Sequence, residues 1–178
     1  MEVLDILNEF GEPLGFTKAR SLVHRDGDWH RTAHVWILKD HSELLLQHRG
    51  LNQESNPNKW DVSCAGHCSA GDASQTAALR ELREELGWNM HKDRLIYLGE
   101  IKSERILPGL VDREYSDIYL LEVVSPTPCF ELQESEVQGV EWVRQDVLKH
   151  RVLKLDPVLV DHQEEYQLLF KWIEAQKA

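Results

Sequence analysis

The sequence predicts an α/β (α+β) domain, and three observations carry that expectation. Short β-branched, aromatic or leucine-rich runs recur along the chain. Stretches of good helix formers with an apolar face stand between and after them. The 178 residues, 42% hydrophobic, suffice for one core, so a single domain over 1–178 is expected. In order, residues 2–7 read as a strand, Asn8 to Pro13 carry turn formers, and Leu14-Gly15-Phe16 resumes the strand, giving an N-terminal hairpin over 1–20. After a turn at Asp26-Gly27-Asp28, strands are expected at 33–38 and 42–49, followed by a polar loop over 50–59. Strands are expected again at 94–101, 114–124 and 140–143, with 105–114 a loop able to cover a cleft. A short helix is expected at 145–150, and a final helix over 161–176 sets Tyr166, Leu169, Phe170 and Ile173 on one face.

Charge and composition narrow the function. A formal net charge of -11 opposes attraction to nucleic acid and to anionic membranes, which leaves a small molecule as the expected partner. The start lacks a basic, apolar leader and no segment reaches the roughly 18 apolar residues of a spanning helix, so a cytoplasmic protein is expected. Cys64, Cys68 and Cys129 are too few and odd in number for a disulfide framework, and Cys64, His67 and Cys68 lack the CxxC spacing of a zinc site. A homodimer is allowed but not specified.

The most informative stretch is 66–88. A helix is expected over 73–86, with Asp72 capping its first turn and Gly87 ending it in a left-handed conformation. Leu79, Leu82 and Leu86 form an apolar stripe, and Glu81, Glu84 and Glu85 gather on the other side. Carboxylates at that spacing repel one another unless solvent or a cation screens them, and such oxygen ligands suit Mg²⁺ or Mn²⁺. The alternative is a solvated acidic face. Arg80, one turn before Glu84, can steady it. His24, His30 and His34 are further candidate ligands, although histidines beside strands are more often satisfied core or surface groups. Arg49 and Lys59 flank the polar loop and can meet phosphate oxygens. Trp29, Trp36, Phe16 and Tyr119 can stack on a base or line an apolar pocket, but aromatics on strands are more often core.

Read as spacing, Gly66, five residues, Asp72, seven residues, then Arg80-Glu81-Leu82-x-Glu84-Glu85-x-Gly87-Trp88 resembles the Nudix box, with Asp72 where the family usually has Glu. The segments VHRDGDWHRTAHVWIL, LLLQHR, KWDVSCAGH and EVQGVEW extend the resemblance toward the branch related to isopentenyl diphosphate isomerase. The resemblance implies the Nudix fold, a mixed sheet sandwiched between helices, and metal-dependent hydrolysis of a diphosphate linked to another moiety. It implies Mg²⁺ or Mn²⁺ at Glu81, Glu84, Glu85 and Gly66, a positioning role for Arg80, metal binding by Glu136, and either Glu81 or Glu136 as the base that takes the water's proton. Isomerisation is the competing activity. The related isomerases use a cysteine where Ala65 stands and a lysine where Gln53 stands, while Glu114 matches their later glutamate as a substrate contact and His24, His30 and His67 resemble their metal histidines. A ligand-binding, non-catalytic domain is the third reading.

Overall fold

The computed structural model describes residues 2–107 and 109–177. Its centre is β3 (Trp29–Lys39), an apolar and β-branched run that β8 (Leu110–Val123) flanks in parallel. On β3's other side lie β1 (Val3–Leu7), β4 (Glu43–Arg49) and β6 (Cys64–His67), all antiparallel. The mixed sheet is completed by β2 (Pro13–Ala19) on β1, β5 (Trp60–Asp61) and β9 (Val137–Arg144) on β4, and β7 (Leu95–Leu107) on β8.

Alternation along β3 divides the core in two. Ala33, Val35 and Ile37 meet Ala77, Ala78, Leu82 and Leu86 of α2 (Ser74–Leu86), whereas Trp36 and Leu38 meet Leu148 and Val152 of α3 (Gln145–Leu153) and Tyr166 and Leu169 of α4 (Gln163–Ala175). The result is the expected α/β/α sandwich with its N-terminal hairpin. No helix among the described residues is long and apolar enough to cross a membrane.

One element was not anticipated and two expectations are corrected. The segment from Arg20 to Asp26 is a helix, α1, ended by Gly27 at φ 72°. Its seven residues carry little helical signal, and burial of Val23 against Leu4 and Ile6 holds it in place. The expected cleft-covering loop over 105–114 is instead a hairpin: β7 runs to Leu107 and β8 restarts at Leu110, with Gly109 at φ 79° in the turn. Pro108 lies outside the described residues. Finally, Asp72 does not cap α2. The cap position is Ala73, without a side-chain hydrogen bond, and Asp72 is exposed. Asp72→Asn and Asp72→Ala are both expected to melt within about 0.5 kcal/mol of the parent, as surface changes away from a cap do, measurable by thermal denaturation. The other end of α2 follows expectation: Gly87 sits at φ 75°, and the Gly87 and Trp88 amides donate back to Arg83 and Leu82.

Candidate active site

The β3–β6 ladder sets Gly66 opposite Ala33, where α2 crosses the sheet. No side chain projects from Gly66, and the carboxyl of Glu81 occupies that space. Arg80 Nη1 lies 2.6 Å from Glu81 Oε1 and 3.3 Å from Glu84 Oε2, while its Nη2 donates to the His67 carbonyl at 2.8 Å. One guanidinium thus ties two carboxylates of the helix to the end of β6. Glu85 is 4% exposed and accepts from Gln47 Nε2 at 2.9 Å. Burial pushes Glu85 up to about 8, with the Glu81 charge adding to it, and pushes Glu81 up to about 7 against the pull of Arg80. The acidic side of α2 is therefore not solvated: Glu81 and Glu85 are buried beside Leu82 and Leu86, and only Glu84 is exposed.

These groups border a cavity of about 550 Å³ whose wall is the sheet face carrying Thr32 and His34. Along β8, Asp112, Glu114 and Ser116 alternate onto this face, with Glu114 beside His30 and Ser116 beside Thr32, whose hydroxyl donates to Ser116 Oγ at 2.8 Å. His24 from α1, His30 from β3 and His67 from β6 converge, their ring centroids 5.1–5.2 Å apart and the His24 and His67 Nε2 atoms 3.2 Å apart. Asp112 Oδ1 lies 3.8 Å from both His24 Nε2 and His30 Nε2, and Glu114 Oε1 lies 3.8 Å from His30 Nε2. Burial lowers His30 and His67, favouring neutral rings with free lone pairs, and raises Glu114 to about 7. His30 Nε2, His24 Nδ1 and Asp112 Oδ1 are buried without a hydrogen-bond partner among the described residues.

Both clusters suit a divalent cation. Buried carboxylates held toward their neutral form, and converging imidazole and carboxylate atoms without partners, are what a donor set looks like without its cation's charge. Charge balance points the same way, since nine carboxylates line the cavity against four arginines, and an anionic ligand would be repelled without added cations.

Of the residues singled out from the sequence, Gly66, Arg80, Glu81, Glu84, Glu85, Arg49, Glu114 and Glu136 all line this cavity. Lys59 does not. It borders a separate groove against Val160 and Tyr166. Trp29, Trp36, Phe16 and Tyr119 are absent from the lining too. Trp36 is core and Phe16 is exposed on the hairpin. Sequence reasoning missed Arg20, Asp61, Arg105, Asp112 and His162. Asp112 was legible only once the hairpin was known, because its two-residue spacing to Glu114 signals a shared face only on a strand.

The NUDIX domain family model matches residues 28–164, and the chain belongs to that family. Among curated relatives, Nudix hydrolase 3 of Arabidopsis thaliana is 40% identical over 95% of this chain, which spans 23% of that longer protein. An uncharacterized Nudix hydrolase of Clostridium acetobutylicum is 36% identical over 83% of this chain and 72% of its own length. An isopentenyl-diphosphate Delta-isomerase of Streptomyces avermitilis is 30% identical over 70% of this chain and 63% of its own. A crystal structure from Deinococcus radiodurans shares the fold at a TM-score of 0.67, with 22% identity over 94% of this chain and 97% of that one.

Proposed function

We propose that this chain is a metal-dependent Nudix hydrolase that cleaves a diphosphate linkage in a small molecule by attack of water on phosphorus. The observation that carries this reading is the pair of buried box carboxylates, Glu81 and Glu85, at the edge of a cavity ringed by Arg20, Arg49, Arg80 and Arg105. Glu81, Glu84 and Glu85 would hold Mg²⁺ or Mn²⁺, and His24, His30, His67, Asp112 and Glu114 a second cation. Bound cations neutralise phosphate oxygens and lower the pKa of an attacking water. Arg80 orients Glu81 and Glu84, and the other arginines offer positive charge to the phosphates. Glu81 gives Oε1 to Arg80 and Glu136 gives Oε1 to the Gln133 amide at 2.7 Å, so each keeps a second oxygen able to accept the water's proton. The named hydrolase relative at 40% identity supports the activity, and three unpaired cysteines fit a cytoplasmic location.

Isomerisation is the second reading, favoured by the histidine and carboxylate cluster and by the isomerase relatives. Against it, the cavity-lining residue in the position of the isomerase cysteine is Ala65, which has no ionisable group. Cys64 faces the opposite core beneath α2, fully buried, and burial pushes its thiol well up, so it stays protonated. Cys64→Ala is expected to leave hydrolysis within about 3-fold of the parent, since the thiol serves packing. EDTA should abolish turnover, with Mg²⁺ or Mn²⁺ restoring it. The screen is incubation with Mg²⁺ and a panel of diphosphates. Double-bond migration in a prenyl diphosphate, lost in a folded Cys64→Ala protein, would overturn the hydrolase reading.

A further inference from the structure

Beyond the two acidic clusters, the cavity is lined by a buried group of charges that the hydrolytic chemistry leaves unused. His34 on β3 is 6% exposed, and its Nδ1 lies 2.9 Å from Glu165 Oε2 of α4. Glu165 Oε1 accepts from Trp36 Nε1 at 2.8 Å, so that carboxylate is held from both sides. His162, just before α4, stands edge-on to His34 with ring centroids 5.5 Å apart, and its Nε2 meets Asp61 Oδ1 at 2.8 Å. Asp61 in turn receives Arg49 at 2.9 Å. His34, His162 and Asp61 line the cavity, whereas Glu165 lies behind them. With Nδ1 committed to Glu165, the opposite edge of the His34 ring faces the cavity, and its Nε2 has no partner among the described residues.

We propose that His34, backed by Glu165 and flanked by His162, is a specificity-determining residue that donates a hydrogen bond from Nε2 to an oxygen on the substrate's non-phosphate moiety. It thereby selects diphosphates of polar groups, such as sugars or nucleosides, over prenyl diphosphates. The inference rests on the diphosphate-binding reading above and names the substrate class for it. The Glu165 charge outweighs the burial of His34 and raises it to about 9, so the ring carries its proton at neutral pH and Nε2 is a donor. A prenyl chain laid on that wall would strip water from an imidazolium and a carboxylate pair without replacing a single hydrogen bond, whereas a hydroxyl or carbonyl oxygen satisfies the donor. His34, His162 and Glu165 stand close enough together to hold a cation, with His34 Nδ1 2.9 Å and His162 Nδ1 3.6 Å from Glu165 Oε2, but the proton that His34 Nδ1 donates to Glu165 occupies the lone pair a metal would need.

The test compares ADP-ribose with isopentenyl diphosphate in the full chain with Mg²⁺, reading both kcat and KM and, separately, equilibrium binding by quenching of tryptophan fluorescence. Because His34→Leu alone strands the buried Glu165, the double variant His34→Leu with Glu165→Gln is used, which keeps an acceptor for Trp36; circular dichroism and a thermal melt check its fold. The parent is expected to prefer ADP-ribose. The double variant should raise KM and Kd for ADP-ribose by about 10-fold or more with kcat within about 3-fold, and should not weaken isopentenyl diphosphate. His34→Gln, which retains a donor, should recover part of the ADP-ribose affinity. Preference of the parent for isopentenyl diphosphate, or an unchanged ratio of the two affinities in a folded double variant, would overturn the proposal. Binding that follows this pattern without turnover of either compound would uphold the subsite while rejecting hydrolysis. Zinc or manganese that binds the parent at this wall and is lost in the double variant would assign the group to a metal and overturn it as well.

Discussion

Glu85→Gln is expected to lower kcat by about 10²-fold or more, on the scale of losing one preorganised electrostatic partner, in a protein that stays folded. The introduced amide fills the same volume, and its oxygen can accept from Gln47 Nε2 as the carboxylate does, so packing beside Leu82 and Leu86 survives. What is lost is a negative charge at the cavity edge. The same substitution has a thermodynamic signature that does not depend on turnover. Burial holds the folded-state pKa of Glu85 at about 8, well above its unfolded value, so in chelator the folded state binds more protons than the unfolded chain across that window. Stability contributed by the neutral form is thus present at acid pH and lost as pH rises toward 8. His34, raised to about 9, loses stability in the same direction at the upper end of the range, so the diagnostic is the difference between proteins rather than the slope alone. Thermal melts in EDTA should fall less steeply with pH in the variant than in the parent, and Mg²⁺ should raise the parent's melting temperature more. Parent-like kcat at limiting Mg²⁺, or superimposable melting profiles, would remove Glu85 from the cation site.

The helix 74–86 was legible because its spacing, its helix formers and Gly87 all agree, and most strands were legible because β-branched and aromatic runs end at turn residues. Burial was harder to read. A helical period separates Glu81 and Glu85 from the leucine stripe, but not whether the far side meets solvent or a cavity; that depends on Gln47, Gly66 and Glu136, which come from three other parts of the chain. α1 escaped notice because tertiary contact of one residue, Val23, decides it, and with it went the position of His24. The placement of Cys64 and Ala65 on opposite faces of β6 was accessible from strand alternation alone. The wall of His34, His162, Asp61 and Glu165 joins residues as far as 131 positions apart, and no local pattern marks such a group.

Gly66→Ala is expected to reduce kcat by about 10²-fold or more, as loss of a preorganised charge does, although it adds a single methyl group. An ideal Cβ at Gly66 would lie 2.2 Å from both Cδ and Oε1 of Glu81 and 2.8 Å from its Cγ, closer than non-bonded atoms tolerate. The clash falls on the free end of a flexible side chain and not on backbone, so Glu81 swings away and the β6–β3 ladder through Gly66 and Ala33 stands. Gly66 is not in the left-handed region, so alanine brings no backbone strain and narrows the unfolded ensemble, which offsets part of the lost Glu81–Arg80 contact, and the melting temperature should stay close to the parent's. A role for Gly66 through its backbone carbonyl alone would survive the substitution, which makes the variant a test between a carbonyl ligand and a clearance for Glu81. The decisive measurement is a double-mutant cycle with Glu81→Gln. If Gly66 acts by making room for Glu81, the second change adds little to the first. Full additivity of the two losses, or parent-like kcat in Gly66→Ala, would show that the carboxylate does not need the position it occupies over Gly66.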